Sequence, residues 1–177
     1  MAEFTSRTLV RCPLGQAGRR LSQYFRANGN ADGDVVQLHL GVDVPRMLPV
    51  DVRLRPSRNV VATVTPIRHA GAVDPEYRVT WADADGGPYP VFVGRLSVEP
   101  DEDYRTFFLR LTGDYVAPFG VVGALFDAVV GRRIAKVTIA TLLLHIADDI
   151  EHQFETDERS KRRSDAAVAV ASPPALN

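Results

Sequence analysis

The feature that most restricts this chain is a block of alternating apolar and polar residues between Val35 and Gly113, broken only by short, turn-rich stretches. VVQLHL sets Val36, Leu38 and Leu40 on one side. PVDVRLR sets Val50, Val52 and Leu54 against Asp51, Arg53 and Arg55. A period of two with one polar side is the pattern of a sheet that is wet on one face. VVATVT from Val60 and YRVTWA, with Tyr77, Val79 and Trp81 together, continue the series. VFVGRLSVEP and YRTFFLRLTG then flank Asp101, Glu102 and Asp103 as a hairpin, with Phe107, Leu109 and Leu111 on one face. Connections this short exclude the crossover helices that a parallel sheet requires. The block predicts six antiparallel strands in a meander.

The flanks carry different periods. TSRTLVRC, ending at Cys12, has strand composition, and Pro13 and Gly15 break it. In GQAGRRLSQYFRANG, Ala17, Leu21, Tyr24 and Phe25 recur at helical spacing and predict one short amphipathic helix or a pair, stopping at Asn28 and Gly29. After the last strand, Pro118 opens a helix that reaches about Phe154. Its apolar stripe is Ile139, Leu143, Ile146, Ile150 and Phe154, and Gly131 marks a kink. ERSKRRSDAAVAVASPPALN is polar, small and proline-containing. The expectation is therefore one domain over 1–156 and a disordered tail over 157–177. The class is α+β: a curved antiparallel seven-stranded sheet (β-α-α-β6-α) wrapped around a long C-terminal helix.

Composition narrows the function classes. A length of 177 residues with 45% apolar content favours one domain with a substantial core. A formal net charge of −1 leaves no nucleic-acid footprint. Cys12 is the single cysteine, so no internal disulfide can form, which fits a reducing compartment. The N-terminus lacks the apolar core of a signal peptide, and the run from Tyr115 to Phe126 is too short to span a bilayer before Asp127 interrupts it. The expected protein is cytoplasmic, with no integral membrane segment.

The segment YVAPFGVVGALFDAVVGRR is apolar on nearly every side of a helix. Such a segment must be surrounded, and lying across the mouth of a curved sheet would surround it. One helix does not fill a strongly curved sheet, so the pattern leaves two outcomes: an apolar cavity or a packed core. The residues placed to line a cavity are Tyr77, Trp81, Phe92, Arg95, Phe107 and Leu109 from the strands and Val122, Phe126 and Val130 from the helix. The aromatic members serve equally well as core.

Tyr115, Pro118 with Gly120, Gly123, Asp127, and Arg132 with Arg133 form a pattern similar to the C-terminal segment of bacterial START-like (SRPBCC) proteins. The element order also resembles their helix-grip fold. The resemblance implies a deep apolar pocket between sheet and helix, in a superfamily that includes lipid and quinone carriers, polyketide cyclases and aromatases, and hormone receptors. It implies no catalytic residue, and fold analogy alone does not establish function.

Other constellations are weaker. NGNADGD, Asn28 to Asp34, lacks the leading Asp and the Glu at the twelfth position of a calcium loop, where His39 stands, and reads as a polar turn. His145, Asp149 and His152 share a helical face beside Asp148, but with no further ligand set they read as a solvated face. No metal and no cofactor is expected. Asp127, inside the apolar half of the helix, needs a partner. Arg105 and Arg110 default outward, while Arg95, sharing a face with Val91 and Val93, is the arginine best placed to turn inward toward a ligand carboxylate or enolate.

Three functions remain open. The first is non-catalytic binding or transport of a hydrophobic or amphipathic small molecule (lipid, quinone or polyketide-like), oriented by Arg95, Tyr104 or Tyr115. The second is a cyclase or dehydratase using His39, His69, Asp51 or Asp127 as acid or base. The third is a homodimer formed through the apolar helix.

Overall fold

The computed structural model describes residues 2–32, 34–43, 57–68, 75–84, 91–116 and 132–171. Strand β1 (Ala2–Val10) leads through a tight single turn at Leu14–Gln16 into helix α1 (Ala17–Asn28). Strands β2 (Gly29–Asp32), β3 (Val35–Asp43), β4 (Ser57–Ile67), β5 (Glu76–Asp83), β6 (Val91–Pro100) and β7 (Phe107–Val116) follow, then helix α2 (Arg132–Ala171). The strands form one seven-stranded sheet in the order β1-β7-β6-β5-β4-β3-β2. Every pairing is antiparallel, so the predicted meander is present and the N-terminal strand closes it beside β7.

The membership of the sheet differs from the sequence reading at one strand. Gly29–Asp32, within the stretch read as a polar turn, pairs with β3, Gly29 opposite Leu38 and Asp32 opposite Val35. The segment is too short and too polar to display a period of two, and only its partner makes it a strand. A Cβ on Gly29 would collide with a Val36 methyl, so this tight entry from α1 requires glycine. The strand expected in PVDVRLR lies outside the described residues, as does the apolar segment from Pro118 to Gly131.

Register aligns the inner face into rows. Leu38, Ala62, Trp81, Phe92 and Tyr115 oppose one another across β3 to β7. The next row is Val36, Val64, Val79, Gly94, Gly113 and Phe4. The adjacent glycines leave a gap in that row, and the Phe92 ring lies over it: a Cβ at either glycine would strike the ring. Phe92 in turn stacks on Trp81, with centroids 4.0 Å apart and planes 10° apart. An aromatic ring laid over bare strand backbone restores the apolar cover that glycine lacks.

Helix α2 lies against β1, β7, β3 and α1. Ala135, Ile139, Leu142, Leu143, Ile146, Ala147 and Ile150 are buried, the three-and-four spacing of the predicted stripe. The helix continues to Ala171, well past the point where the sequence reading ended the ordered chain. Residues 159–167 are exposed, so no core holds this extension. Local terms do: Arg159 pairs with Glu155 at 2.8 Å and Lys161 with Glu158 at 2.6 Å, and alanines follow. Low apolar content argues against a core but not against a helix. Among the described residues no helix is long and apolar enough to cross a membrane.

Candidate functional site

The site begins with how α1 is held. Leu21, Tyr24 and Phe25 are buried and seat the helix on the core. Arg20 is buried too, its side chain only 3% exposed, and pairs with Asp157 of α2 at 2.7 Å. It also donates to Gln16 Oε1 at 3.2 and 3.4 Å and lies 5.9 Å from the Phe154 ring centre. A buried guanidinium is tolerated only with such partners. Together these contacts tie α1 to α2.

Between the tied helices and the sheet is a groove of about 460 Å³, lined by Tyr24 and Asn28 of α1, Leu38, His39 and Leu40 of β3, and His145, Asp148, Asp149 and His152 of α2. The α2 residues fall at helical spacings of three and four, which puts them on one wall. Asp149 accepts hydrogen bonds from Gln153 Nε2 at 2.7 Å and from Asn28 Nδ2 at 3.5 Å. Asn28 also donates to the Tyr24 carbonyl at 3.1 Å. Burial, and then the Asp149 charge, push the Tyr24 phenol up to about 12, so it stays protonated. Leu38 and Leu40 are buried and supply apolar surface, while the α2 wall supplies imidazoles and carboxylates. The arrangement can hold an apolar body against β3 with a polar head toward α2. Among the described residues no group of three His, Cys, Asp or Glu side chains is placed to hold a metal ion.

The residues expected to line a cavity fall into four groups. Trp81, Phe92, Phe107 and Leu109 are buried on the inner face and packed within the core. Tyr77, also buried, borders a second, smaller cleft with Ser22, Phe25 and Val36. Arg95 is on the outer face, paired with Glu76 at 3.4 Å, so the inward placement is corrected. Val122, Phe126 and Val130 lie outside the described residues.

Parity explains the error at Arg95. Val91 and Val93, which share its face, are 44% and 52% exposed. Gly94 contributes no side chain to the true inner row, so the two faces of β6 looked equally apolar.

Of the proposed orienting groups, Tyr115 is buried with its ring 5.4 Å from Phe4. Tyr104 is 64% exposed in the β6–β7 turn, at a left-handed φ of 57°. Arg110 pairs with Glu99, and Arg105 is exposed. Among the acid–base candidates, His39 borders the groove, and His69, Asp51 and Asp127 lie outside the described residues.

Helical spacing alone gives the His145–His152 face no partner, and it reads as open to solvent. The helical face itself was legible. That β3 and the end of α1 stand opposite it was not.

No protein-family model matches the chain, and no curated protein matches it. Solved structures do. A protein from Thermus thermophilus superposes with a TM-score of 0.52 at 11% identity, covering 84% of this chain and 97% of that one. A conserved protein from Geobacillus kaustophilus gives 0.52 at 13% identity, covering 88% and 96%. An aromatase/cyclase from a Streptomyces species gives 0.49 at 14% identity, covering 87% and 93%, a likeness too low to carry an argument. Identity at this level speaks for architecture alone. The seven-stranded antiparallel sheet packed against a long C-terminal helix, present in the described elements and matched over 84% and 88% of this chain, is a helix-grip fold.

Proposed function

We propose that the chain binds an amphipathic small molecule between the sheet and the C-terminal helix. The observation that carries this reading is the groove of about 460 Å³, apolar at Leu38 and Leu40 of β3 and polar along α2. Affinity would come from apolar area removed from water, at roughly 25 cal/mol per Å² before the costs of binding. Orientation would come from Asp148, Asp149 and the two α2 histidines. A lipid, quinone or polyketide-like molecule has this two-sided character.

The test is a titration with Nile red, read by fluorescence, on the native chain and on His145→Trp. His145 is exposed, so the substitution fills the groove without entering the core. The expected result is saturable uptake by the native chain and a loss of about tenfold or more in the variant, a change of ~1.4 kcal/mol or more. Equal affinity in two equally folded proteins would sink the reading. Native mass spectrometry of protein taken from its own host would then identify a co-purifying molecule.

A second reading is an acid–base enzyme of the cyclase or dehydratase kind. It is favoured by His39, His145 and His152 lining the same groove, since an imidazole ring can both accept and donate a proton. It predicts that His145→Ala and His152→Ala abolish turnover of a polyketide-like substrate while leaving its binding intact.

A further inference from the structure

The second cleft has a different chemistry. Its volume is about 300 Å³, and it is lined by Ser22, Phe25 and Arg26 of α1, Asp34, Val36, Val64, Pro66 and Tyr77, with Arg68 at the end of β4. The two hollows use different faces of α1: Tyr24 and Asn28 border the groove, while Ser22, Phe25 and Arg26 border the cleft.

The floor of the cleft is apolar and partly aromatic. Phe25 and Tyr77 meet edge to face, with centroids 4.9 Å apart at 64°, and Val64 is buried beside the half-buried Val36 and Pro66. The rim is cationic. Arg68 and Arg26 stand there against one carboxylate, Asp34, and Asp34 is already engaged: Arg68 Nη2 reaches its two oxygens at 2.8 and 3.1 Å. Arg26 has no ion pair and no hydrogen-bond partner among the described residues. The bland role of Arg26 is to stabilise the last turn of α1 through the helix dipole. That role does not require a hollow with an aromatic floor beneath it.

We propose that this cleft is a second binding site, for a small organic anion: a monocarboxylate with a flat apolar body, seated on Phe25, Tyr77 and Pro66 and held at its charged end by Arg26 and the free edge of the Arg68 guanidinium. Guanidinium recognises carboxylate through paired, charge-assisted hydrogen bonds, and an aromatic floor favours a planar body. The site is separate from the groove and stands or falls independently of it.

The test uses phenylacetate and its neutral counterpart phenylacetamide, each titrated into the full chain while backbone amide signals are followed by NMR. Phenylacetate shifts the signals of Ser22, Arg26, Val36 and Val64, leaves those of His145, Asp148 and His152 in place, and binds about tenfold more tightly than the amide, since a charge-assisted hydrogen bond has that order of effect. Arg26→Glu, at an exposed position, lowers phenylacetate affinity by about tenfold or more and leaves the weak amide binding unchanged. Ser22→Trp, also exposed, abolishes binding of both by filling the cleft. Shifts confined to the groove, equal binding of acid and amide, no binding at all, or an Arg26→Glu variant that binds phenylacetate as the native chain does would each overturn the proposal.

Discussion

The groove and the cleft share β3 as floor and α1 as partition, yet they present opposite charge. The groove faces Asp148 and Asp149 on α2; the cleft faces Arg26 and Arg68. Their charges also arise differently. Those of the groove come from one helix, where spacings of three and four gather side chains onto a single wall. Those of the cleft come from three separate segments, the end of α1, the β2–β3 turn and the end of β4. Adjacent inward residues of one strand, Val36 and Leu38, therefore look into hollows that would select different ligands. The division is made by Tyr24 and Phe25, neighbours in sequence whose rings touch at 5.5 Å while each borders a different hollow.

The comparison can be broken at its common frame first. Gly113→Leu puts a side chain into Gly94, the Val93 carbonyl and the Phe92 ring. Two of those obstacles are backbone and cannot turn aside, so urea unfolding is expected to show a loss of about 3 kcal/mol or more. An unchanged midpoint would mean that the sheet is far more pliant at this row than its packing implies.

Next in size is Arg20→Ala. It removes the tie between α1 and α2, with an expected loss of about 2 kcal/mol, Asp157 being exposed enough to return to water. Because both hollows depend on α1, Nile red uptake and phenylacetate binding should weaken together. If only one weakens, the partition is held by something other than Arg20.

Alkali tests the groove side through Tyr24. The Tyr24 phenol, ordinarily near 10, is raised to about 12 in the fold. The folded chain keeps that proton where the unfolded chain has released it. The resulting stability is complete below pH 10 and is lost as pH rises through about 12. The loss is roughly 3 kcal/mol, and Tyr24→Phe should reduce it.

The smallest effect sharpens the contrast. Asp149→Asn removes the charge that helps hold the Tyr24 proton, so spectrophotometric titration should find Tyr24 ionising at lower pH, with stability changed by no more than about 0.5 kcal/mol. Asp34→Asn, in the cleft, should leave Tyr24 where it is. A response of Tyr24 to both would show that the hollows are electrically coupled.

Much of the frame was legible. Val60 to Val64, Tyr77 to Trp81 and Phe107 to Leu111 announced their strands because alternate side chains leave opposite faces of a pleated backbone. Ile139, Leu143, Ile146 and Ile150 announced a buried helical stripe for the parallel reason. The candidate site was less legible. Phe92, Trp81, Phe107 and Leu109 were rightly placed inside, but apolar pattern does not distinguish a residue that lines a hollow from one that fills it. Arg95 was misplaced because alternation shows which residues share a face and not which face is covered. The helix beyond Phe154 is not legible because composition speaks to burial, and the exposed part of that extension is held by local ion pairs, side-chain hydrogen bonds and alanine.

By itself the sequence determined periods, and with them β3 to β7 of the meander, the two helices and the antiparallel sense of the sheet. Those follow from backbone geometry over a few residues. Only the tertiary structure decided that β3 stands opposite His145 and His152, that α1 divides the space beside it, and that Arg26 and Arg68 overlook one aromatic floor. Such meetings join residues a hundred or more positions apart, or segments with no shared period, and depend on how whole elements pack. The charge of each hollow, and so the ligand it would accept, is set at that level.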